Sequence, residues 1–560
     1  MIVIPRRNNT IFALAASIRA KIARLCDGEK SRRRNGGHLS LGVLSGSQQC
    51  RMDPSFSAPR SPRIAERCYF GKMAPFQSVV VVGGGLTGLA CAYYLKKAGS
   101  QVMLLEASEK PGGIIQTVER NGFLFEAGPQ CPRFSPRLSR LIHEIAIAGE
   151  FLPVDSHAQR YILKGGSLHK FPLSPQAFLA TDLVSLRSKM RLVAEPFRST
   201  HPPENEESLA DLIRRKFGTD FLDYLVDPAI SAVFAGDPET MGVESAFPFL
   251  ARWERLHGSL LRGAFKSRGA GNRQISTDGP NPRAGKNAGE KLHISESLPP
   301  LGSFRKGLAT LPEALGRALG NSLRLRAPVH GLYQIATVED SPAQWRIRLT
   351  TGEEIAAEDV VIATPASEAS RLLQPAEPGV SSMLAGFSYA PVTTVALAFK
   401  RAQVRHPLRG FGLMVPHSEK LNTFYTVWNS SLFPGRAPEG EILITSFAGG
   451  ARNPDFASRD EETAAQNVES EIGPVLGIEG PAIERFVWNH REALPQFTIG
   501  HAARVAAVRQ SIGRLPGVFL AGNYFNGRSL GDCVDIAFET AEAVKRGMSL
   551  ETSKLERTLS

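Results

Sequence analysis

Metal-ligand spacing is missing from this chain. Its six cysteines (Cys26, Cys50, Cys68, Cys91, Cys131 and Cys533) are scattered, with no CxxC or similar pattern, which argues against a metal site and against a disulfide framework. Long apolar runs are missing too: no uncharged stretch reaches the roughly 20 residues of a spanning helix. No Ser/His/Asp or Cys/His constellation and no paired carboxylates stand out, so acid–base or nucleophilic hydrolysis has nothing to rest on. A basic stripe interleaved with aromatics is absent as well. The net charge of +12 is concentrated in residues 1–70, which hold 13 Lys/Arg against 4 Asp/Glu, and the remaining 490 residues are nearly balanced. That distribution argues against a nucleic-acid partner.

The first 26 residues also lack any acid. In MIVIPRRNNTIFALAASIRAKIARL, residues Ile11, Leu14, Ile18, Ile22 and Leu25 fall on one helical face, with Arg6, Arg7, Arg19, Lys21 and Arg24 among them. This reads as a mitochondrial presequence; a plain basic tail is the alternative.

Glycine, by contrast, is placed with purpose. Val79–Val82 is a β-branched run of the kind a parallel sheet buries on both faces. Gly83, Gly84, Gly85, Leu86, Thr87 and Gly88 follow, then a helical stretch from Leu89 to Ala98, a second strand Val102–Leu105, and Glu106 at its end. Gly83 permits a tight turn, Gly85 lets backbone approach a pyrophosphate, and Gly88 lets helix and strand pack closely. The helix N-terminus offers free N–H groups to phosphate, and Glu106 is spaced to accept from ribose hydroxyls. Strand, loop, helix, strand and acid in register predict a dinucleotide-binding unit.

The continuation ASEKPGGIIQTVERNGFLFEAGPQ, with Gly112–Gly113 soon after the acid, resembles the extended fingerprint of the FAD-dependent amine oxidase and porphyrinogen oxidase superfamily. The superfamily's usual Arg after the pair is Ile114 here. DVVIATP (359–365) reads as a returning strand, and Arg514–Val544 as a strand (Val518–Ala521), a Gly-Asn turn and a last helix. Seven segments, among them GPQCPRF (128–134), SAVFAGDPETMGVESAFP (231–248), GFGLMVP (410–416), SSLFPGRAP (430–438) and LAGNYFNGRSLGDCV (520–534), resemble the protoporphyrinogen oxidase family in its own order.

That resemblance implies an α/β fold: a Rossmann-like FAD-binding domain of the amine oxidase type assembled from discontinuous segments, a mixed α+β substrate domain, and a helical, membrane-associating subdomain. The expected boundaries are a presequence at 1–75, FAD-binding parts at 76–150, 300–375 and 506–548, and a helical substrate and membrane segment at 151–260. A disordered insertion at 261–299, a substrate-binding part at 376–505 and a tail at 549–560 complete the division.

For the site, the resemblance implies non-covalent FAD. Gly83, Gly84, Gly85, Leu86, Thr87, Gly88 and Glu106 would hold its ADP half and Val329 its adenine region. Gly112, Gly113, Ile114, Gly128, Pro129, Gln130 and Cys131 would line the flavin, and Asn523, Arg528, Ser529 and Leu530 would reach the flavin end. Relatives usually carry small apolar residues in place of Arg528 and Ser529, so backbone contact is expected there. Arg133 falls where a guanidinium grips a propionate, Met414 and Phe433 where a pyrrole ring is sandwiched, and Ala232 where a small residue meets the ring edge.

The implied reaction is oxidation of protoporphyrinogen IX to protoporphyrin IX in three hydride removals, with dioxygen as oxidant and hydrogen peroxide released, in haem synthesis. No protein group is expected to be catalytic by itself. The resemblance also implies peripheral attachment to the mitochondrial inner membrane, with a homodimer and hand-over to the next haem-pathway enzyme as further expectations. Phe171–Phe197, apolar at helical spacing with Arg187, Lys189 and Arg191 beside it, fits a membrane interface and equally a helix covering the substrate domain. An amine or polyamine oxidase and a carotenoid desaturase are the rival readings. Asn523 with Asp532–Cys533 in place of the amine-oxidase pattern, and GFGLMVP with SSLFPGRAP, weigh against them.

Overall fold

β-branched density decides where the centre of the molecule lies. Val79 to Val82 are all buried, in a strand that runs Gln77–Val82 at the middle of a seven-stranded sheet. The computed structural model describes residues 77–155, 157–198, 203–269, 301–335, 344–527 and 529–547. The presequence reading of 1–75, most of the insertion read at 261–299, Arg528 and the tail from 549 lie outside these.

The order in this first sheet is Val329–Ile335, Gln344–Leu349, Glu354–Ile362, Gln77–Val82, Val102–Leu105, Leu323–Arg324. Strand Glu354–Ile362 serves two neighbours beyond the central one. Its first half pairs antiparallel with Gln344–Leu349 (Trp345 opposite Ala357), and its second half pairs parallel with Val518–Leu520 (Val360 opposite Val518). The dinucleotide sheet therefore takes strands from the start, middle and end of the chain. Helices Leu86–Lys97 and Leu530–Lys545 cover one face, where Leu89, Ala90, Val534, Ala537 and Ala541 share a core.

A second sheet orders Glu484–Pro495, Tyr389–Lys400, Glu441–Gly449, Thr423–Val427, Gly412–Met414, Arg160–Lys164 and Ser167–Lys170. Its last two strands come from the segment expected to be helical, 151–260. That segment is helical only from Pro175 onward, because the alternating run RYILK finds a parallel partner in Gly412–Met414. Residues 261–269, expected to belong to a disordered insertion, are helical instead: helix Leu260–Gly269 begins where the carboxylate of Glu195 accepts from Leu260 N, Leu261 N and Ser259 Oγ. Among the described residues no helix is long and apolar enough to cross a membrane.

Candidate active site

Three glycine-bearing turns meet at the C-terminal end of the central strand. Gly83, at φ +106°, turns the chain, and its N–H donates to the Leu105 carbonyl at 2.9 Å. A Cβ on Gly88 would lie 1.9 Å from the Gly83 carbonyl oxygen, so the close strand–helix approach excludes any side chain there. Gly85 differs: a Cβ on it would meet nothing within 4 Å. The open space lies at the start of helix Leu86–Lys97, whose cap has no side-chain hydrogen bond. Free N–H groups, the positive end of a helix dipole and a bare backbone are what a pyrophosphate requires. The cradle fits the ADP half of FAD.

Glu106 is held rigidly. Its Oε2 accepts from Gly84 N at 2.6 Å, and its Oε1 from Ser108 N at 2.8 Å and Ser108 Oγ at 2.5 Å. Its backbone reaches Ala327, two residues before buried Val329, so the acid and the valine sit on neighbouring turns. Leu86 is buried, and Thr87 turns its side chain to Cys533 on the last helix.

Gly112 (φ +121°) donates to the Gly84 carbonyl at 2.8 Å, and a Cβ on Gly113 would stand 3.5 Å from Gly85 Cα. Gly128 packs so closely on Ile114 that a Cβ would come 2.3 Å from the Ile114 carbonyl oxygen. The expected flavin-side residues are thus contiguous, with Ile114 partly exposed among them. Gln130 is buried and donates to the Gly128 and Glu126 carbonyls at 2.9 and 3.1 Å, while its Oε1 accepts from Asn429 at 2.6 Å. Asn523 opens a short helix, with its Oδ1 3.4 Å from the Tyr389 hydroxyl. Ser529 caps helix Leu530–Lys545 by accepting from Asp532 N, and the start of that helix abuts Ser135.

From Gly128 the chain runs through Pro129, Cys131 and Pro132 to Arg133, which is half-buried and makes no ion pair among the described residues. Burial, and then the neighbouring Arg160 charge, lower its pKa from the usual guanidinium value. Met414 and Phe433 are both buried, Phe433 to 1%. They belong to adjacent apolar clusters: Met414 with Ala232 packed alongside in one, Phe433 with Cys131 in the other, and Tyr425 packed against both. The residues expected to sandwich a ring are therefore joined through Tyr425, which sequence reasoning missed.

Other near-site residues were missed as well. Arg436 is buried beneath Phe433, 5.2 Å from its ring centre, and pairs with buried Glu126 at 3.3 Å. Burial raises the Glu126 carboxyl above the usual carboxylate range against the pull of Arg436. His490 Nε2 lies 2.9 Å from the Ala127 carbonyl oxygen. The FPGRAP motif pointed to this region, but nothing local marks residue 436 as the partner of residue 126. Among the described residues there is no cluster of His, Cys, Asp or Glu able to hold a metal.

The chain belongs to the flavin containing amine oxidoreductase family, whose model matches residues 86–545; a pyridine nucleotide-disulphide oxidoreductase model also matches residues 49–120. Within that class it groups with the protoporphyrinogen oxidases. It is 31% identical to the chloroplastic protoporphyrinogen oxidase of Oryza sativa, over 92% of this chain and 93% of that one. It is 27% identical to the coproporphyrinogen III oxidase of Bacillus subtilis, over 82% and 95%. A crystal structure from Exiguobacterium sp. 255-15, described as a protoporphyrinogen oxidase, superposes with a TM-score of 0.69 at 25% identity, covering 85% of this chain and 99% of that one. The chain is thus a flavin-dependent oxidoreductase.

Proposed function

We propose that this enzyme oxidises protoporphyrinogen IX to protoporphyrin IX with FAD bound non-covalently in the glycine cradle. The observation that supports this reading best is Arg133. A half-buried guanidinium with no ion pair among the described residues, five residues past the flavin-lining Gly128, calls for a ligand carboxylate. FAD, when bound, supplies the hydride acceptor. The chain's own residues do the rest by placement. Gly112, Gly113 and Gly128 keep side chains away from the flavin face, Glu106 orients the ribose, and Arg133 takes a propionate. The apolar surface around Met414, Phe433 and Ala232 excludes water from the macrocycle. No side chain needs to act as a base on carbon, because a pyrrole N–H releases its proton as the bridge carbon is oxidised.

The test is incubation of the flavin-loaded protein with protoporphyrinogen IX, with coproporphyrinogen III as competitor. Porphyrin fluorescence appearing faster with the first supports the reading; no fluorescence, or a preference for the four-acid substrate, overturns it. Arg133→Ala should raise KM about ten- to hundredfold with a smaller effect on kcat, because the contact exists before and during reaction.

We further propose peripheral attachment to the mitochondrial inner membrane. Residues 1–70 fused to a reporter should direct it to mitochondria, and a cytosolic reporter would remove that part. The attachment face is helix Leu186–Ala194 and the turn after it. Leu186, Met190, Val193 and Phe197 form one exposed row, with Leu186 75% and Phe197 66% accessible and Arg187 and Arg198 beside it. Apolar side chains flanked by cations suit an anionic bilayer surface.

A further inference from the structure

Strand Arg160–Lys164 places Arg160 directly opposite Gly412. Its guanidinium lies over the Phe411 ring, 4.6 Å from the centre, and Nη1 donates to the Ala158 carbonyl at 3.3 Å. Stacking and hydrogen bond together fix the plane of the group. Phe411 shares an apolar cluster with Phe433, against which Cys131 and Tyr425 pack. Arg133, Cys131 and the Tyr425 hydroxyl all lie within the field of the Arg160 charge.

One half-buried guanidinium, Arg160, thus stands on the aromatic floor against which Cys131 packs, two residues before a second, Arg133, whose charge it opposes. Like charges held partly out of water repel, and an anion between them removes that cost. A further guanidinium of the region, Arg436, pairs with Glu126. Arg133 has no such partner among the described residues. The Tyr425 hydroxyl likewise makes no hydrogen bond among them, although its residue is paired with Met414 and its ring stacks on Phe447.

We propose that Arg160 is a second carboxylate-binding residue of the substrate pocket. Arg133 and Arg160 take the two acid side chains at one edge of the macrocycle, and the Tyr425 hydroxyl donates to one of them. This rests on the porphyrinogen reading above, and it makes the pocket selective for a substrate whose two carboxylates lie side by side.

The experiment varies the substrate as well as the protein. Flavin-loaded wild type, Arg133→Ala, Arg160→Gln and the double variant are each assayed with protoporphyrinogen IX and with its mono- and dimethyl esters. Binding of protoporphyrin IX and of its esters is followed in parallel by the Soret shift, which needs no turnover. In Arg133→Ala, esterification should still weaken binding about tenfold, because Arg160 loses its partner. In the double variant diacid and diester should bind alike. Tyr425→Phe should weaken the diacid severalfold and leave the diester unchanged.

An Arg133→Ala variant already blind to esterification overturns the proposal. So does an Arg160→Gln variant that loses diacid and diester equally, the mark of a merely structural arginine. If Arg160→Gln does not retain FAD, Arg160→Lys, which keeps the charge without the planar fork, serves in its place and should recover part of the diacid preference. A wild type without turnover would sink the porphyrinogen reading, while the Soret titrations would still decide the role of Arg160.

Discussion

Gly85 and Gly88 have the same side chain and opposite reasons for it. A methyl on Gly88 would collide with the chain itself, 1.9 Å from the Gly83 oxygen, whereas one on Gly85 would enter empty space. Gly88→Ala should therefore cost several kcal/mol of stability with or without cofactor, by overpacking against backbone. Gly85→Ala should leave the thermal midpoint of the FAD-free protein within a degree or so and weaken FAD binding at least tenfold. Melting curves with and without FAD check both, and equal losses of stability in the two variants would show that the space at Gly85 is not a ligand's. Cys131 adds a second test. Burial pushes its thiol up to about 12, so almost no thiolate exists at neutral pH. Acid precipitation should release all flavin into the supernatant, and iodoacetamide at pH 8 should leave Cys131 unmodified in the native protein.

At the scale of elements, helix Leu186–Ala194 buries only Ser188 and turns its apolar row outward. Within a soluble fold such a row gains nothing, so its removal costs nothing. Leu186→Gln, Met190→Gln and Val193→Gln together should change folding stability by less than about 1 kcal/mol. The triple variant should co-sediment with anionic vesicles at least tenfold less, since each apolar side chain removed from water contributes about 1.5–3 kcal/mol when fully buried. Unchanged sedimentation would point to another face. Elements of this kind were legible in the sequence because their signal is local. The glycine loop, the returning strand at 359–365 and the terminal strand and helix were readable from period and turn chemistry within about 30 residues. Arg160 and Tyr425 were not, because their meaning lies in strand pairing across distant segments, where a register exists only once both partners are folded. The Glu126–Arg436 pair was hidden for the same reason, as two charges 310 positions apart.

For the whole molecule, the pH dependence of stability has a legible contributor in Asp359, on the strand beside the central one. Burial, and then Glu358, raise its pKa from 3.8 to about 6. An acid whose folded pKa exceeds its unfolded value holds its proton longer when native, so stability falls as pH rises from about 3.8 to about 6 and is level above. Asp359→Asn should be more stable than wild type at pH 7 by about 1 kcal/mol, a figure discounted for solvent screening of a side chain that is not fully buried. The advantage should vanish by pH 4. Denaturant midpoints at the two pH values check this, and an advantage of equal size at both would assign the effect to something other than titration.

The strand that completes the cofactor sheet, Val518–Leu520, lies more than four hundred residues after the one that begins it. At roughly 5–20 residues per second of synthesis, the glycine loop waits about 20 to 90 s before its sheet can close. Completion of the cofactor sheet is therefore a late event in synthesis, and strand Glu354–Ile362 carries an unpaired edge until Val518–Leu520 emerges to cover it.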